Sequence, residues 1–261
     1  MRRYFISQHP TFGSYANPIA SKIEKSPYFY WWLALTLNDE YVAFCETVSN
    51  KQNNQTDEQM FNVYKDFGDV RYEGDVHKAF TDWWLTKVSE TECRGVYLLA
   101  EPFTDNRVQL IDTFEDAEAS VNDESSILIR IPKVMSRKFI DASIERIFAK
   151  ELSFEKGRQV RNPSRSNARY SLSKVCKAEA LKEEFSVYRE RLAQQSEGKV
   201  DNTKIAKKLG ISVDMAEDKI DAEDKHHNFA AYKRQVISTK ITRKFSNAKK
   251  SIANTAKGMF P

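Results

Sequence analysis

The sequence predicts an α+β protein, with a mixed helix and short-sheet N-terminal domain followed by a mainly helical C-terminal domain. Helical patterns, amphipathic or continuously apolar, recur over the first third of the chain and again after residue 136. Between them lie three short segments that are typical of strands. With 261 residues and 41% hydrophobic content, the chain is long enough for one large domain or two small ones.

Caps and apolar spacing predict the N-terminal helices. Ser26-Pro27 is a typical helix start, with serine at the N-cap and proline at the first helical position, and YFYWWLALTL follows without a breaker. Trp31-Trp32 and Trp83-Trp84 are expected to be buried in this domain. Further helices are predicted over DEYVAFCETV (39–48), over 56–67 with Gly68 as the stop, and over DVHKAFTDWWLTKVSE (75–90).

The predicted strands come next. They are rich in branched or aromatic residues and are bounded by polar residues or proline. Their sequences are RGVYLLAEP (94–102), RVQLIDTF (107–114) and SSILIRIP (125–132). A helix over 137–151 then follows Ser136, with an apolar stripe of Phe139, Ile140, Ile144, Ile147 and Phe148. Residues 1–155 are therefore predicted to be an aromatic-rich domain for protein contacts or self-association.

Charge is distributed unevenly along the chain. The net charge of +4 is the balance of −8 over residues 1–155, +7 over 156–177, −4 over 178–224 and +9 over 225–261. Charge separated in this way indicates electrostatic partners for particular segments.

The segment 156–177 is predicted to be a basic linker, because serine, asparagine, proline and glycine interrupt regular structure there. It contains four arginines, Arg158, Arg161, Arg165 and Arg169, and no acidic residue. Arginine suits bidentate contacts with phosphate, so the segment either contacts nucleic acid or is a solvated linker.

Residues 178–261 are predicted to form a helical, helix-turn-helix-like basic domain. A helix over KAEALKEEFSVYRERLAQQ (177–195) is followed by DNTKIAKKLGISV (201–213), which resembles the first helix and turn of a helix-turn-helix unit. Asn202 or Thr203 is the expected cap, and Gly210 the turn. The next stretch, 214–224, is acidic and would be repelled by phosphate, so another helix would have to enter a groove.

The closing stretch is the candidate for that helix. STKITRKFSNAKKSIA (238–253) resembles recognition helices of bacterial helix-turn-helix regulators, and a helix is expected to begin at Ser238 or Thr239. An apolar stripe is predicted along Ile241, Phe245, Ala248, Ile252 and Ala256. Six side chains mostly off that stripe are predicted to contact nucleic acid, namely Lys240, Arg243, Lys244, Asn247, Lys249 and Lys250. A basic amphipathic helix also suits an acidic protein surface, including 214–224 of this chain, or an anionic membrane.

No catalytic or metal-binding pattern is found. DFGDV (66–70) lacks the glycine-rich and catalytic loops that give the kinase triplet its role, and it is interpreted as a helix C-terminus. The four histidines and three cysteines show no metal-ligand spacing. The protein is therefore expected not to be an enzyme and to need no cofactor.

The longest apolar stretch, 29–37, is too short to span a bilayer, and no signal peptide is recognised. The expectation is a soluble cytoplasmic protein without a membrane partner. Its expected partner is nucleic acid, DNA in preference to RNA. Protein partners of the N-terminal domain and homo-oligomerisation are also possible.

Four sequence features, SPYFYWW, YKDFGDV, DWW and a basic C-terminus ending in GMFP, are together similar to uncharacterised proteins carried by bacterial phages and mobile elements. The resemblance implies a setting in replication, regulation, genome packaging or particle assembly. Two alternatives to DNA binding stay open: a phage or satellite assembly or scaffold protein whose basic tail docks on an acidic protein, and an RNA-binding component of a ribonucleoprotein.

Overall fold

The structure is a computed structural model that describes residues 5–50, 58–102, 110–122, 127–151, 154–155, 158–159, 166–212 and 229–261. The chain divides into two compact units. One combines Met1–Pro102 with Asn162–Pro261, and the other is Phe103–Arg161. These bounds differ from the boundaries at residues 155 and 177 that charge and composition indicate.

The described part of the chain is mostly helical, and the prediction of an α+β fold with a short N-terminal sheet is wrong. In those residues the only strand pairing is between two strands of two residues each. The helices of the first unit are α1 (Ala20–Ile23), α2 (Pro27–Thr36), α3 (Asp39–Ser49), α4 (Glu58–Phe67), α5 (Val76–Leu85), α6 (Arg94–Leu99), α9 (Ala178–Ser196), α10 (Asn202–Lys208) and α11 (Phe229–Thr255).

The predicted strands fail for an identifiable reason. The first of them forms α6, whose short apolar run has no periodicity that separates a buried helix from a buried strand. In the structure a Cβ at Gly95 would lie 2.0 Å from the Trp84 ring, so the backbone of α6 packs directly on that ring. The described parts of the other two predicted strands, 110–113 and 127–132, contain no strand.

Helix α2 lies at the centre of the first unit. Every side chain from Tyr28 to Leu35 is at most 3% exposed. A helix that is apolar on all sides has to be covered on all sides, and α3, α9 and α11 pack on it. Pro27 is its first residue, as predicted, while the Ser26 hydroxyl donates a hydrogen bond to the Gln8 carbonyl at 2.7 Å.

Both tryptophan pairs are buried, as predicted, and they join α2 to α4 and α5. Phe67 stacks on Trp31 with ring centroids 6.2 Å apart and on Trp83 at 5.5 Å. The Trp83 indole N–H donates to the Phe67 carbonyl at 2.7 Å. Helix α5 ends at Leu85, so Val88, which the helix predicted over 75–90 includes, lies outside it and is exposed.

The C-terminal residues complete the same core. Phe260 is fully buried and stacks on Trp31 with ring centroids 5.6 Å apart. The Ser173 N–H donates to the Phe260 carbonyl at 2.7 Å, and the Asn38 amide donates to the Ile252 carbonyl at 2.7 Å. The basic C-terminal helix therefore belongs to one compact unit with the N-terminal aromatic helices.

The second unit contains α7 (Phe114–Asn122), α8 (Arg137–Glu151) and an antiparallel pair of strands, β1 (Phe154–Glu155) and β2 (Arg158–Gln159). Helix α8 has the predicted bounds. Four of its five predicted stripe residues are half-buried, whereas Phe139 is exposed. No helix in the described residues of either unit is long and apolar enough to cross a membrane.

Gly95→Ala tests the packing of α6 on Trp84. The added methyl group would overlap the indole ring, so the free energy of unfolding should fall by roughly 1 to 3 kcal/mol, as for overpacked cores, despite the better helix propensity of alanine. Chemical denaturation measures the change. In a Trp84→Leu background, which removes the ring, the same substitution should cost little. An equal cost in both backgrounds would contradict this packing.

Candidate nucleic-acid interface

Helices α9, α10 and α11 pack together around a small buried cluster. Val187, Ile205, Ala206 and Ile241 form its centre, one or two from each helix. Several partly buried apolar residues surround them, including Leu209 and Ile211, which the sequence places on the inner side of the turn. The cluster fixes α10 and α11 against α9.

Helix α10 has a defined start and end. Its cap is Asp201, not the predicted Asn202 or Thr203, and the Asp201 carboxylate accepts from the Thr203 and Lys204 N–H groups at 2.9 and 3.2 Å. Gly210 has a φ of 64°, a conformation that glycine adopts without steric cost. The Ile211 N–H then donates to the Ala206 carbonyl at 2.9 Å, which closes the turn as in a Schellman motif.

Helix α11 buries the predicted stripe. Ile241, Ala248, Ile252 and Ala256 are buried, and Phe245 is half-buried against the Tyr188 ring at 5.4 Å. The helix is already formed at Phe229, so the predicted start at Ser238 or Thr239 is wrong. Serine and threonine at these positions are interior helix residues, and the Thr239 hydroxyl donates to the carbonyl one turn earlier, at Gln235.

One side of α11 is engaged by its neighbours. The Lys244 ammonium lies 2.7 Å from the Glu183 carboxylate of α9, and its side chain is only 14% exposed. The Asn247 amide donates to Glu184 at 2.9 Å, and the Lys240 ammonium donates to the Ser212 carbonyl at 2.8 Å. Three of the six α11 residues predicted to contact nucleic acid are thus bound within the chain.

The remaining three are Arg243, Lys249 and Lys250. All are exposed, and none makes a hydrogen bond or ion pair with any residue in the described part of the chain. Lys257, just past the helix end, shares these properties, although sequence reasoning missed it. Its signal was available, because Arg243, Lys250 and Lys257 follow one another at intervals of seven residues, which is close to two helical turns. We call these four residues the outer basic row.

The polar residues near the outer basic row also divide into residues bound within the chain and residues that are exposed. The Asn202 amide of α10 donates to the Ser238 hydroxyl at 2.9 Å, so Ser238 lies on the side of α11 that faces α10. Ser246, between Arg243 and Lys250 along the helix, is exposed. Helix α11 itself contains no acidic residue. The outward face of α11 is therefore cationic, with short hydroxyl side chains between the charges.

Of the four predicted linker arginines, Arg169 is the one whose side chain the structure describes. Arg161 and Arg165 lie outside the described residues, as does the side chain of Arg158, whose backbone belongs to β2 of the second unit. Arg169 is held by Asp66, whose carboxylate accepts from its Nε at 2.8 Å, and this hydrogen bond raises the pKa of Arg169. Arg169 also donates to the Tyr97 hydroxyl at 3.1 Å.

Two acidic residues anchor the start of the described segment that begins at residue 166. Asp66 accepts from the Tyr170 hydroxyl at 2.7 Å, and burial together with this bond raises the pKa of Tyr170. The Glu101 carboxylate accepts from the Ser166 hydroxyl at 2.6 Å and from the Asn167 N–H at 2.8 Å. Residues 166–170 are thus bound to α4 and to the end of α6. Sequence reasoning missed both acids, because their partners lie far away in sequence.

An open cleft of about 370 Å³ is lined by residues of α2, of α5 and of the loop 69–75. Its charges are mostly paired: Arg71 binds Asp69 at 2.6 Å, and Lys78 binds Asp82 at 2.6 Å. The hydrogen bonds from Arg71 lower the pKa of Asp69. The described residues contain no cluster of side chains suited to a metal ion. The outer basic row, in contrast, consists of charges without a partner among the described residues.

Comparison with known proteins adds no family assignment, since no protein-family model, curated protein or solved structure matches the chain.

Proposed function

We propose that the protein binds nucleic acid, with duplex DNA as the preferred form, through the outward face of α11. One observation carries the proposal. The Lys240 and Lys244 side chains of α11 are bound to acceptors within the chain, whereas Arg243, Lys249, Lys250 and Lys257 are exposed and have no partner among the described residues. Unpaired lysine and arginine side chains are the groups that replace counterions along a phosphate backbone.

The spacing of the outer basic row suits a groove. Residues seven apart on an α-helix are separated by about 10.5 Å along the axis. A single helix fits the major groove, which is about 12 Å wide. Bound in this way, α11 would place Arg243, Lys250 and Lys257 against phosphates or base edges, with Ser246 between the first two as a hydrogen-bonding group.

The position of α11 in the core also supports this role. Its buried stripe packs on α2, α9 and α10, so its outward face is held on a rigid element. Preorganised side chains lose less conformational entropy on binding than the same side chains on a free tail. Arg169, Lys240, Lys244 and Asn247 are left out of the proposed contact set because their polar groups already have partners.

The sequence resemblance to phage and mobile-element proteins supports a setting in replication, regulation or packaging of a mobile genome. Binding to RNA has to be distinguished from binding to DNA by experiment, since the same basic side chains would also bind single strands.

Alanine substitutions in the outer basic row test the proposal. Each of Arg243→Ala, Lys250→Ala and Lys257→Ala should weaken binding to a random duplex and reduce the slope of log K against log salt by about 0.9 per lost phosphate contact. Fluorescence anisotropy with labelled duplex and single-stranded probes measures both quantities. Lys87→Ala is the matched control, because Lys87 is exposed on the loop after α5.

Equal slopes of log K against log salt for the wild type and for the variant that combines the three alanine substitutions would contradict the proposal that this face binds nucleic acid. Wild-type protein that binds no nucleic acid at low salt, but binds an acidic polypeptide through α11, would favour the scaffold alternative instead.

Lys244→Met and Asn247→Ala separate the engaged side of α11 from its outward face. Because both residues bind α9, their loss should lower the free energy of unfolding, by about 1 kcal/mol or less for a partly exposed pair. The salt slope of DNA binding should stay at the wild-type value. Thermal unfolding and anisotropy on the same preparations check both results. A lower salt slope of DNA binding with an unchanged free energy of unfolding would instead indicate that these side chains contact nucleic acid.

A further inference from the structure

The second unit exposes apolar surface that nothing in its described residues covers. Helix α7 has no buried residue, and among the residues whose burial is described no apolar residue between Ala100 and Leu172 is buried. A unit of this small size needs a buried core or a partner to be stable. Large contiguous apolar surfaces on a folded chain mark interaction sites.

The apolar side of α7 forms a regular stripe. Phe114, Ala117 and Val121 are spaced three and four residues apart, which places them on one face of α7, and Leu110 lies four residues before the helix begins. Leu110 is 85% exposed, Phe114 79% and Val121 68%. Glu115, Asp116 and Glu118 lie beside this stripe, and α7 contains no basic residue. It is an acidic amphipathic helix with an unpartnered apolar face.

The segment around α8 has the opposite charge. Four exposed basic residues, Arg130, Lys133, Arg137 and Lys138, lie in it and just before it. Its large apolar residues are half-buried or exposed, and the exposed ones are Ile127, Leu128, Ile131, Val134, Met135 and Phe139. Helix α7 does not pack along α8 within the chain. One chain thus carries an acidic apolar surface and a basic apolar surface that do not cover each other.

We propose that the second unit is a self-association site, in which α7 of one copy docks on the basic apolar surface around α8 of a second copy. The exchange is reciprocal, because each copy offers both surfaces, so two copies form a closed pair with twofold symmetry. Burial of the two stripes provides the attraction, and the opposite charges fix which surfaces meet.

Charge reversal tests the pairing. Glu115→Lys/Glu118→Lys and Arg137→Glu/Lys138→Glu each place like charges across both contacts of a pair. Each double variant should therefore raise the dissociation constant about tenfold or more. Light scattering coupled to size exclusion, over a dilution series of the full chain, measures the mass. An equimolar mixture of the two variants should form pairs again, since lysine then meets glutamate at one contact and the native charges meet at the other.

The chain offers matched controls. Glu40→Lys/Glu90→Lys makes the same charge change at exposed sites in α3 and in the loop after α5, and should leave the mass unchanged. Phe114→Ser should weaken the pair without a change of charge, and its high exposure makes unfolding of a single copy an unlikely cause. A wild type that is monomeric throughout the dilution series overturns the proposal. A pair that withstands all these changes also overturns it. So does a mixture of the two double variants that stays monomeric while the variant combining all four charge reversals regains thermal stability, because that result would show that α7 pairs with α8 inside one copy.

Discussion

The burial of α2 on every side is the constraint on which the first unit depends. A helix carrying two tryptophans and several other large apolar residues cannot leave a face in water, so elements from both ends of the chain have to cover it. At about 25 cal/mol per Å² of apolar surface removed from water, a single buried aromatic side chain contributes several kcal/mol, more than any one hydrogen bond here. This burial joins α11 and Phe260 to the N-terminal helices, although more than two hundred residues separate them in sequence.

The same burial determines what α11 can present. Because Ile252 and Ala256 pack inward near α2, and Ile241 packs inward on α9 and α10, the rotation of α11 about its axis is set along its length. The acidic residues of α9 then meet Lys244 and Asn247 on one side. Among the described basic residues after residue 224, those left exposed and without a described partner are the outer basic row and Lys233, a smaller set than the nine basic residues of that stretch.

Local chemistry made much of this predictable. The start of α2 at Ser26-Pro27, the bounds of α8, the turn at Gly210 and the inward stripe of α11 all follow from caps, glycine conformation and apolar spacing. The failures have a common origin. Helix α6 was predicted as a strand because its short apolar run has no periodicity, and the packing of Gly95 on Trp84 is a contact that this run does not reveal. Arg169 was predicted to contact nucleic acid or to lie in a solvated linker, because its partner Asp66 is about a hundred residues away in sequence. Long-range contacts leave no local pattern, whereas caps and stripes do.

The free energies of the ion pair and of the apolar contacts show which of them orients the outer basic row. The Lys244–Glu183 pair is half-exposed on its acidic side, and a pair of this kind contributes at most about 1 kcal/mol. The stripe residues Ile241 and Ile252 are buried, and removing one such side chain down to alanine costs about 2 to 5 kcal/mol. The apolar stripe therefore fixes the outward face, and the ion pair acts on an orientation already chosen. It follows that a charged residue on α11 can be substituted without rotating the helix. The charges at Arg243 and Lys250 are therefore not required by the fold and are available to bind a ligand.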